Sequence, residues 1–102
     1  MNSNWYVYLL ECEDGSLYTG ISTDSARRFE QHRNGEGARY TRSHPPRRLL
    51  ANLSVGSRSV ALRAEYAIKQ LSASEKHRLC RDINAGTACI EAILQPAHLQ
   101  PS

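Results

Sequence analysis

Residues 5–22 read WYVYLLECEDGSLYTGIS, and this stretch decides the fold. Two runs rich in aromatic and branched aliphatic residues flank Glu13-Asp14-Gly15, a combination typical of a turn between two strands. The sequence therefore predicts a β-hairpin with one strand from about Trp5 to Cys12 and a second from Leu17 to Ser22.

Loop length decides which side chains share a face of this hairpin. Asp-Gly suits a two-residue loop, but it also suits a three-residue loop in which Gly15 takes the left-handed conformation of a bulge. In the three-residue form Cys12 closes on Ser16, and the side chains segregate by chemistry. One face then carries Tyr6, Tyr8, Leu10, Tyr18, Gly20 and Ser22, and the other carries Val7, Leu9, Leu17 and Ile21. The two-residue register would mix these sets, so we predict the three-residue loop with the aliphatic face on the core.

The segment after the hairpin predicts a helix. Asp24 can cap a helix that runs from about Ser25 to Asn34 and ends at two glycines. Arg28 and His32 are four residues apart and therefore share one face of that helix.

The second half of the chain predicts a loop, a strand and two further helices. Residues 35–46 contain two glycines and two prolines and have no apolar period, so we expect a loop before a third strand near residues 49–55. Apolar residues recur at helical spacing between Ser57 and Leu71. A further helix is predicted from about Ser74 to Asn84, ended by Gly86.

These elements predict an α+β fold with α/β/α-like layers, in which a small three-stranded antiparallel sheet with an N-terminal hairpin is flanked by helices. A chain of 102 residues is enough for one modest hydrophobic core. We divide it into a domain over residues 1–85 and a C-terminal extension over 86–102 that forms a short helix or strand and then a partly ordered tail.

Composition narrows the class of protein. The three cysteines, Cys12, Cys80 and Cys89, are odd in number and lack close spacing, which argues against a disulfide framework or a structural zinc site. We expect them to be reduced, semi-buried thiols. The apolar run in residues 1–10 has no basic leader and is broken by tyrosines, so neither a signal peptide nor a membrane span is expected. A cytoplasmic location is the default expectation.

The positive charge of the chain is concentrated in one stretch. The net charge is only +3, but residues 27–48 contain Arg27, Arg28, Arg33, Arg39, Arg42, Arg47 and Arg48, with His32 and His44, opposed by Glu30 and Glu36. Arginine keeps its charge at any biological pH and binds phosphate oxygens in a bidentate fashion. The stretch therefore suits a nucleic-acid backbone. A solvated basic loop that contacts nothing is the alternative.

Several short motifs occur together along the chain. Tyr6-Val7-Tyr8 and Tyr18-Thr19-Gly20 lie in the hairpin, His32 follows Arg28 on the next helix, and Glu65 lies on a later helix. In this combination the chain resembles the GIY-YIG nucleases, which are named for two short motifs in a hairpin. The closest likeness is to the small stand-alone bacterial members, which consist of little more than the catalytic domain.

The resemblance covers nearly the whole chain up to about residue 79, and it has departures. Tyr6 stands where the first motif has glycine, and Thr19 stands where isoleucine is usual; neither change removes a reactive group. Some members place a lysine near the second tyrosine, whereas this chain has Ile21 and Ser22. If Tyr18 acts as the second tyrosine does in this family, a group other than a neighbouring lysine must therefore activate its phenol.

Two charged residues have the chemistry that phosphodiester hydrolysis needs. A single carboxylate suits Mg²⁺ or Mn²⁺, which retain waters and are shared with substrate phosphates, so Glu65 is the expected metal ligand. Arg28 is expected to bind the scissile phosphate with its planar fork. Alternatively, Glu65 merely pairs with Lys69 at i+4, and Arg28 is an ordinary exposed arginine.

The hairpin tyrosines and the helix histidine are the remaining catalytic candidates. The resemblance places Tyr18 at the position of the general base. The metal or Arg28 must then lower the pKa of its phenol so that it can accept a proton. Tyr8 would orient the water or phosphate, or share that role. His32 could relay a proton or hold the phosphate, because the reference pKa of histidine, about 6.5, permits either near neutrality. Alternatively, the tyrosines are half-buried sheet residues and His32 is a surface histidine.

We therefore interpret the chain as a metal-dependent nuclease acting on nucleic acid, DNA in preference to RNA, that selects structure rather than sequence. Its expected backbone contacts are Arg27, Arg33, Arg39, Tyr40, Arg42, Arg47, Arg48 and Lys69. One alternative is a catalytically silent nucleic-acid-binding module of the same fold. Another is a partner-binding domain that needs a second subunit. No membrane partner is expected, and the oligomeric state is left open, a monomer included.

Overall fold

Three strands form the centre of the computed structural model, which describes residues 4–94. They are β1 (Trp5–Cys12), β2 (Leu17–Ser22) and β3 (Pro46–Gly56), and they form an antiparallel sheet in the order β2-β1-β3. Within the described range the helices are α1 (Ser25–Arg33), α2 (Arg39–Ser43), α3 (Arg58–Lys69), α4 (Ala73–Ala85) and α5 (Ile90–Leu94). Helices pack on both faces of the sheet, so the α+β fold with an N-terminal hairpin is confirmed.

The hairpin has the three-residue loop that the side-chain chemistry favours. Cys12 N donates to the Ser16 carbonyl at 2.8 Å, and Gly15 N donates to the Cys12 carbonyl at 2.9 Å. Gly15 has a φ of 87°, the left-handed conformation that this loop requires. Tyr8 consequently pairs with Gly20 across β1 and β2, as predicted.

The aliphatic face of the hairpin packs on the main core. Its buried residues are Val7, Leu9, Ala51, Ala64, Ile68 and Cys80, contributed by β1, β3, α3 and α4. The opposite face, which carries Tyr8, is covered by α1, where the Ser25 hydroxyl donates to Asn52 Oδ1 on β3 at 2.7 Å. The predicted segregation of the two faces is therefore confirmed.

Local signals set the ends of the helices. The Asp24 side chain accepts from Arg27 N at the start of α1, and Ser57 accepts from Val60 N at the start of α3. Ser72 and Glu75 form a capping box for α4, which ends at Gly86 with a φ of 77°. The helices predicted over residues 25–34, 57–71 and 74–84 are confirmed to within two residues at each end.

The prediction of a loop over residues 35–46 is wrong in two places. The short helix α2 lies inside it, and β3 begins at Pro46 rather than near residue 49. A five-residue helix with Thr41 as its one buried residue has no apolar period to detect. The strand can begin in this proline-rich segment because Pro46 is its first residue. At that position the sheet tolerates a proline, which has no backbone N–H to donate.

The end of the described chain packs against the core. Ile90, Ile93 and Leu94 of α5 contact the main core cluster. The predicted tail over residues 95–102 lies outside the described residues, and the division of the chain after residue 85 stays a prediction. No helix within residues 4–94 is both long and apolar enough to cross a membrane.

The cysteines divide into two environments. Cys12 and Cys80 are buried, and burial raises the pKa of Cys80 to about 11. The expectation of semi-buried thiols is wrong for all three, because Cys12 and Cys80 are fully buried and Cys89 is exposed in the segment before α5.

Candidate active site

A buried pair, Tyr8 and His32, lies at the centre of the site. The Tyr8 hydroxyl and His32 Nε2 are 3.0 Å apart, and the two side chains are only 1% exposed. The hairpin register turns Tyr8 toward α1, and the last turn of α1 presents His32 to it. His32 is therefore not a surface histidine, and Tyr8 is not half-buried; both expectations of that kind are wrong.

A second hydrogen bond holds the other side of the imidazole. His32 Nδ1 lies 2.6 Å from Thr41 Oγ1, and the Thr41 hydroxyl lies 2.9 Å from the Ala38 carbonyl oxygen. Thr41 belongs to α2 and is 2% exposed. The short helix that the sequence did not predict thus provides a buried partner for His32.

Two glycines make room for these side chains. A Cβ atom at Gly20 would overlap the Tyr8 hydroxyl, and a Cβ atom at Gly37 would overlap the His32 imidazole. Neither glycine has a positive φ, so the requirement at both positions is space and not backbone conformation. From the sequence, we expect Gly20 only on the tyrosine face of the hairpin and Gly37 only as one of the two glycines that end the first helix.

Tyr18 lies at the edge of the sheet, where side chains from both helix layers converge. Its ring centroid is 5.1 Å from that of His32, on α1, and 6.0 Å from Lys69 Nζ, on α3. Tyr40 stacks on it at 5.9 Å, and His44 stacks on Tyr40 at 4.0 Å. The rings therefore form a continuous row from the buried imidazole to solvent.

The charged candidates surround the same phenols. Arg28 donates to Gln31 Oε1 at 2.7 Å and also acts on the pKa values of Tyr8 and Tyr18. Glu65 Oε2 lies 3.3 Å from Lys69 Nζ, with side chains 21% and 48% exposed, so the i,i+4 pair that we considered does form. A pair this exposed contributes about 0–1 kcal/mol and leaves the carboxylate available for other roles.

Burial dominates the acid–base properties of the two tyrosines. It raises the pKa of Tyr8 to about 12, with Tyr18 raising it further and Arg28 opposing the rise. Burial also raises the pKa of Tyr18, which Lys69 and Arg28 lower and Glu65 raises. In the free protein the nearby cations therefore offset the effect of burial only in part.

His32 is neutral at physiological pH. Burial and then the Arg28 charge lower its pKa to about 4. The expectation that His32 titrates near neutrality is wrong, because an imidazole removed from water and placed beside a guanidinium resists a second proton.

The arginine cluster is divided by ion pairs that sequence proximity did not reveal. Arg48 Nε and Arg47 Nη1 lie 2.8 Å and 3.9 Å from Glu11 Oε1 on the neighbouring strand. Arg33 pairs with Glu30 at 2.9 Å. Arg27, Arg39 and Arg42 are exposed and have no ion pair within residues 4–94. Among the arginines expected to contact the nucleic-acid backbone, these three need not first leave a carboxylate of the described chain.

The donors of the site suit a hard cation held by few protein ligands. No group of three or more His, Cys, Asp or Glu side chains that could hold a metal occurs in the described part of the chain. Glu65, with phenolic oxygens nearby, offers oxygen donors only, and its carboxylate is partly exposed. Mg²⁺ and Mn²⁺ accept such a site because waters and substrate oxygens complete their coordination.

The glycine beside His32 gives a first testable prediction. We expect Gly37→Ala to destabilise the protein by about 1–3 kcal/mol in chemical unfolding, because the added methyl group overlaps a buried imidazole. In a His32→Ala background the same substitution should cost little, and the double-mutant cycle measures the difference. An equal loss of stability in both backgrounds would show that overlap with the His32 imidazole is not the reason why residue 37 is glycine.

Comparisons with known proteins identify the family to which the chain belongs. A family model described as the GIY-YIG catalytic domain matches residues 4–78. A UPF0213 protein of Cupriavidus pinatubonensis is 55% identical over 76 residues, which cover 74% of this chain and 84% of that protein. UPF0213 protein YhbQ of Salmonella typhimurium is 45% identical over 92 residues, or 90% and 92% of the two chains. The solution NMR structure of a protein from E. faecalis is similar with a TM-score of 0.56 and 33% identity, covering 83% of this chain and 93% of that one.

Proposed function

Because the chain belongs to the GIY-YIG catalytic domain family, we propose that it is a metal-dependent nuclease that hydrolyses phosphodiester bonds in nucleic acid. Nucleases of this family generally use divalent metal ions. The observation that carries the proposal is that two phenols, a guanidinium, an imidazole and a carboxylate lie together around strands β1 and β2. DNA is the proposed substrate in preference to RNA, selected by structure rather than by sequence.

The two tyrosines take different roles in this proposal. The Tyr8 hydroxyl is held by His32, and the pKa of Tyr8 is about 12, so this phenol keeps its proton and orients water or phosphate. Burial raises the pKa of Tyr18 too, but Lys69 and Arg28 oppose the rise, and a divalent ion held by Glu65 would have to favour the phenolate further. We assign Tyr18 as the general base and His32 as the residue that orients Tyr8.

The charged residues complete the assignment. Arg28 binds the scissile phosphate, since it lies beside both phenols and its charge is fixed. Glu65 would hold Mg²⁺ or Mn²⁺, which when bound supplies positive charge to the phosphate as negative charge develops there. Lys69 sits between Glu65 and the Tyr18 ring, where its ammonium group supports both.

The nucleic-acid backbone would follow the basic residues next to this edge. Arg27, Arg39 and Arg42 are proposed as the main phosphate contacts because they are exposed and lack ion pairs among the described residues. Arg33, Arg47 and Arg48 would first have to leave carboxylates, so their contributions should be smaller. Tyr40 and Lys69 extend the same surface to the site.

The proposal is tested with labelled DNA and RNA in single-stranded, duplex and branched forms, in the presence of Mg²⁺, Mn²⁺ or chelator. We expect cleavage that requires a divalent ion. Glu65→Gln should lower the rate by about 10²–10³-fold, the range for losing one group that stabilises developing charge. Its melting temperature should change little because Glu65 lies at the margin of the core.

Glu36→Gln provides the matched control, since Glu36 is an exposed carboxylate beside the basic segment. It should cleave at the parent rate. Full activity of Glu65→Gln would remove this residue from metal binding, and full activity in chelator would remove the metal from the reaction. Binding without cleavage of any substrate would favour the silent nucleic-acid-binding module, for which the raised pKa values of both tyrosines already argue.

A further inference from the structure

Thr41 stands out among the buried polar residues because it is the buried residue of α2 and contacts the site directly. Its hydroxyl is buried in α2 and lies 2.6 Å from His32 Nδ1. Thr41 does not contact Tyr8 or Tyr18 by any hydrogen bond, so an effect on either phenol must pass through His32.

The hydrogen bonds around His32 select one tautomer. A neutral imidazole has one N–H donor and one acceptor nitrogen. If Nδ1 carries the proton, it donates to Thr41 Oγ1 at 2.6 Å, and the Thr41 hydroxyl donates to the Ala38 carbonyl at 2.9 Å. Nε2 is then the acceptor for the Tyr8 hydroxyl at 3.0 Å.

The other tautomer is less well satisfied. The single Thr41 proton would have to point at Nδ1, so the Ala38 carbonyl would lose its 2.9 Å bond and keep only the 3.2 Å bond from Arg42 N. Nδ1 would in return accept from Ala38 N, but that contact is 3.4 Å long. An N–H donor is normally closer to its acceptor than that. The Tyr8 oxygen would also accept from His32 Nε2, so the Tyr8 proton would lose the imidazole nitrogen as its acceptor.

We propose that Thr41 is a positioning residue that holds the proton of His32 on Nδ1, so that Nε2 accepts the Tyr8 hydroxyl and fixes where the Tyr8 lone pairs point. The effect on catalysis that we expect from this arrangement rests on the proposed nuclease function, whereas the tautomer of His32 does not. Arg28, which lowers the pKa of the same phenol, then faces an oxygen of defined orientation. Besides its proposed phosphate contacts, α2 therefore determines which nitrogen of His32 donates a hydrogen bond and which accepts one.

The tautomer can be measured without any substrate. Long-range ¹H–¹⁵N correlation of the labelled protein at neutral pH should give His32 a pyrrole-like Nδ1 and a pyridine-like Nε2. Thr41→Val keeps the volume and removes the hydroxyl, so the Nδ1-protonated form should no longer dominate. Thr41→Ser restores the hydroxyl and should restore the parent spectrum. Melting curves of both variants separate this effect from unfolding.

The consequence for turnover is tested with the same three proteins. Thr41→Val should lower the single-turnover rate by about 10–100-fold, the range for losing a residue that orients a functional group, and Thr41→Ser should recover most of it. A parent-like His32 spectrum in Thr41→Val would overturn the proposal. So would an altered spectrum with an unchanged rate. If the parent protein cleaves nothing, the nuclease proposal fails and the spectrum alone decides the role of Thr41.

Discussion

Tyr18→Phe should lower the single-turnover rate of cleavage by about 10²–10⁴-fold while nucleic-acid affinity stays nearly unchanged. The substitution removes the hydroxyl and keeps the ring that stacks between His32 and Tyr40. Loss of a general base has an effect of this size, whereas a phenol that only packs would have little effect on rate. Rates under enzyme excess and affinities from titration without metal make the distinction.

Two other tyrosines give this experiment its controls. Tyr8→Phe should cost less than Tyr18→Phe if Tyr8 only orients the reaction, and Tyr66→Phe should cost nothing, because Tyr66 is 71% exposed on α3. Should Tyr18→Phe keep the parent rate while His32→Ala loses it, the base is not Tyr18. Should both variants cleave at the parent rate, the cluster is not catalytic in the way we propose.

The part of the fold that carries the site was predictable because its signals are local. Alternation of tyrosines with aliphatic residues, together with one Asp-Gly turn, is enough to fix the register that places Tyr8 opposite Gly20. The helix of Arg28 and His32 has its own cap at Asp24. Family resemblance then supplied Glu65, whose position beside the sheet depends on packing that no local pattern encodes.

The features that sequence analysis missed arise from contacts between distant segments. Glu11 reaches Arg47 and Arg48 only because β1 and β3 are neighbours in the sheet. The sequence alone therefore did not show that a carboxylate partly neutralises this end of the basic stretch. Thr41 and Gly37 matter because α2 folds back over His32. A buried threonine in a five-residue helix leaves no periodicity, and the low pKa of His32 follows from this same enclosure.

That enclosure should make the stability of the protein fall by about 3 kcal/mol as the pH is lowered from 6.5 to 4. Burial and Arg28 hold the pKa of folded His32 at about 4, below the ordinary value of 6.5. In this window the unfolded chain takes up a proton that the folded protein refuses, so stability present above pH 6.5 is lost as the pH falls, at about 1.36 kcal/mol per unit of pKa shift. Urea unfolding across this range measures the slope.

Because carboxylates also titrate near the lower end of this range, the slope attributable to His32 is the difference between the parent and His32→Gln. Glutamine keeps a polar side chain and removes the titration, so the variant should be less stable at pH 7 but should lose about 3 kcal/mol less between pH 6.5 and 4. His44→Gln is the control for removing an exposed imidazole, which is 37% exposed at this position, and the comparison of the two variants isolates the effect of the buried one. Parallel curves for the parent and His32→Gln would mean that His32 takes up its proton as readily in the folded protein as in the unfolded chain, and the buried Tyr8–His32–Thr41 arrangement would then not describe the protein in solution.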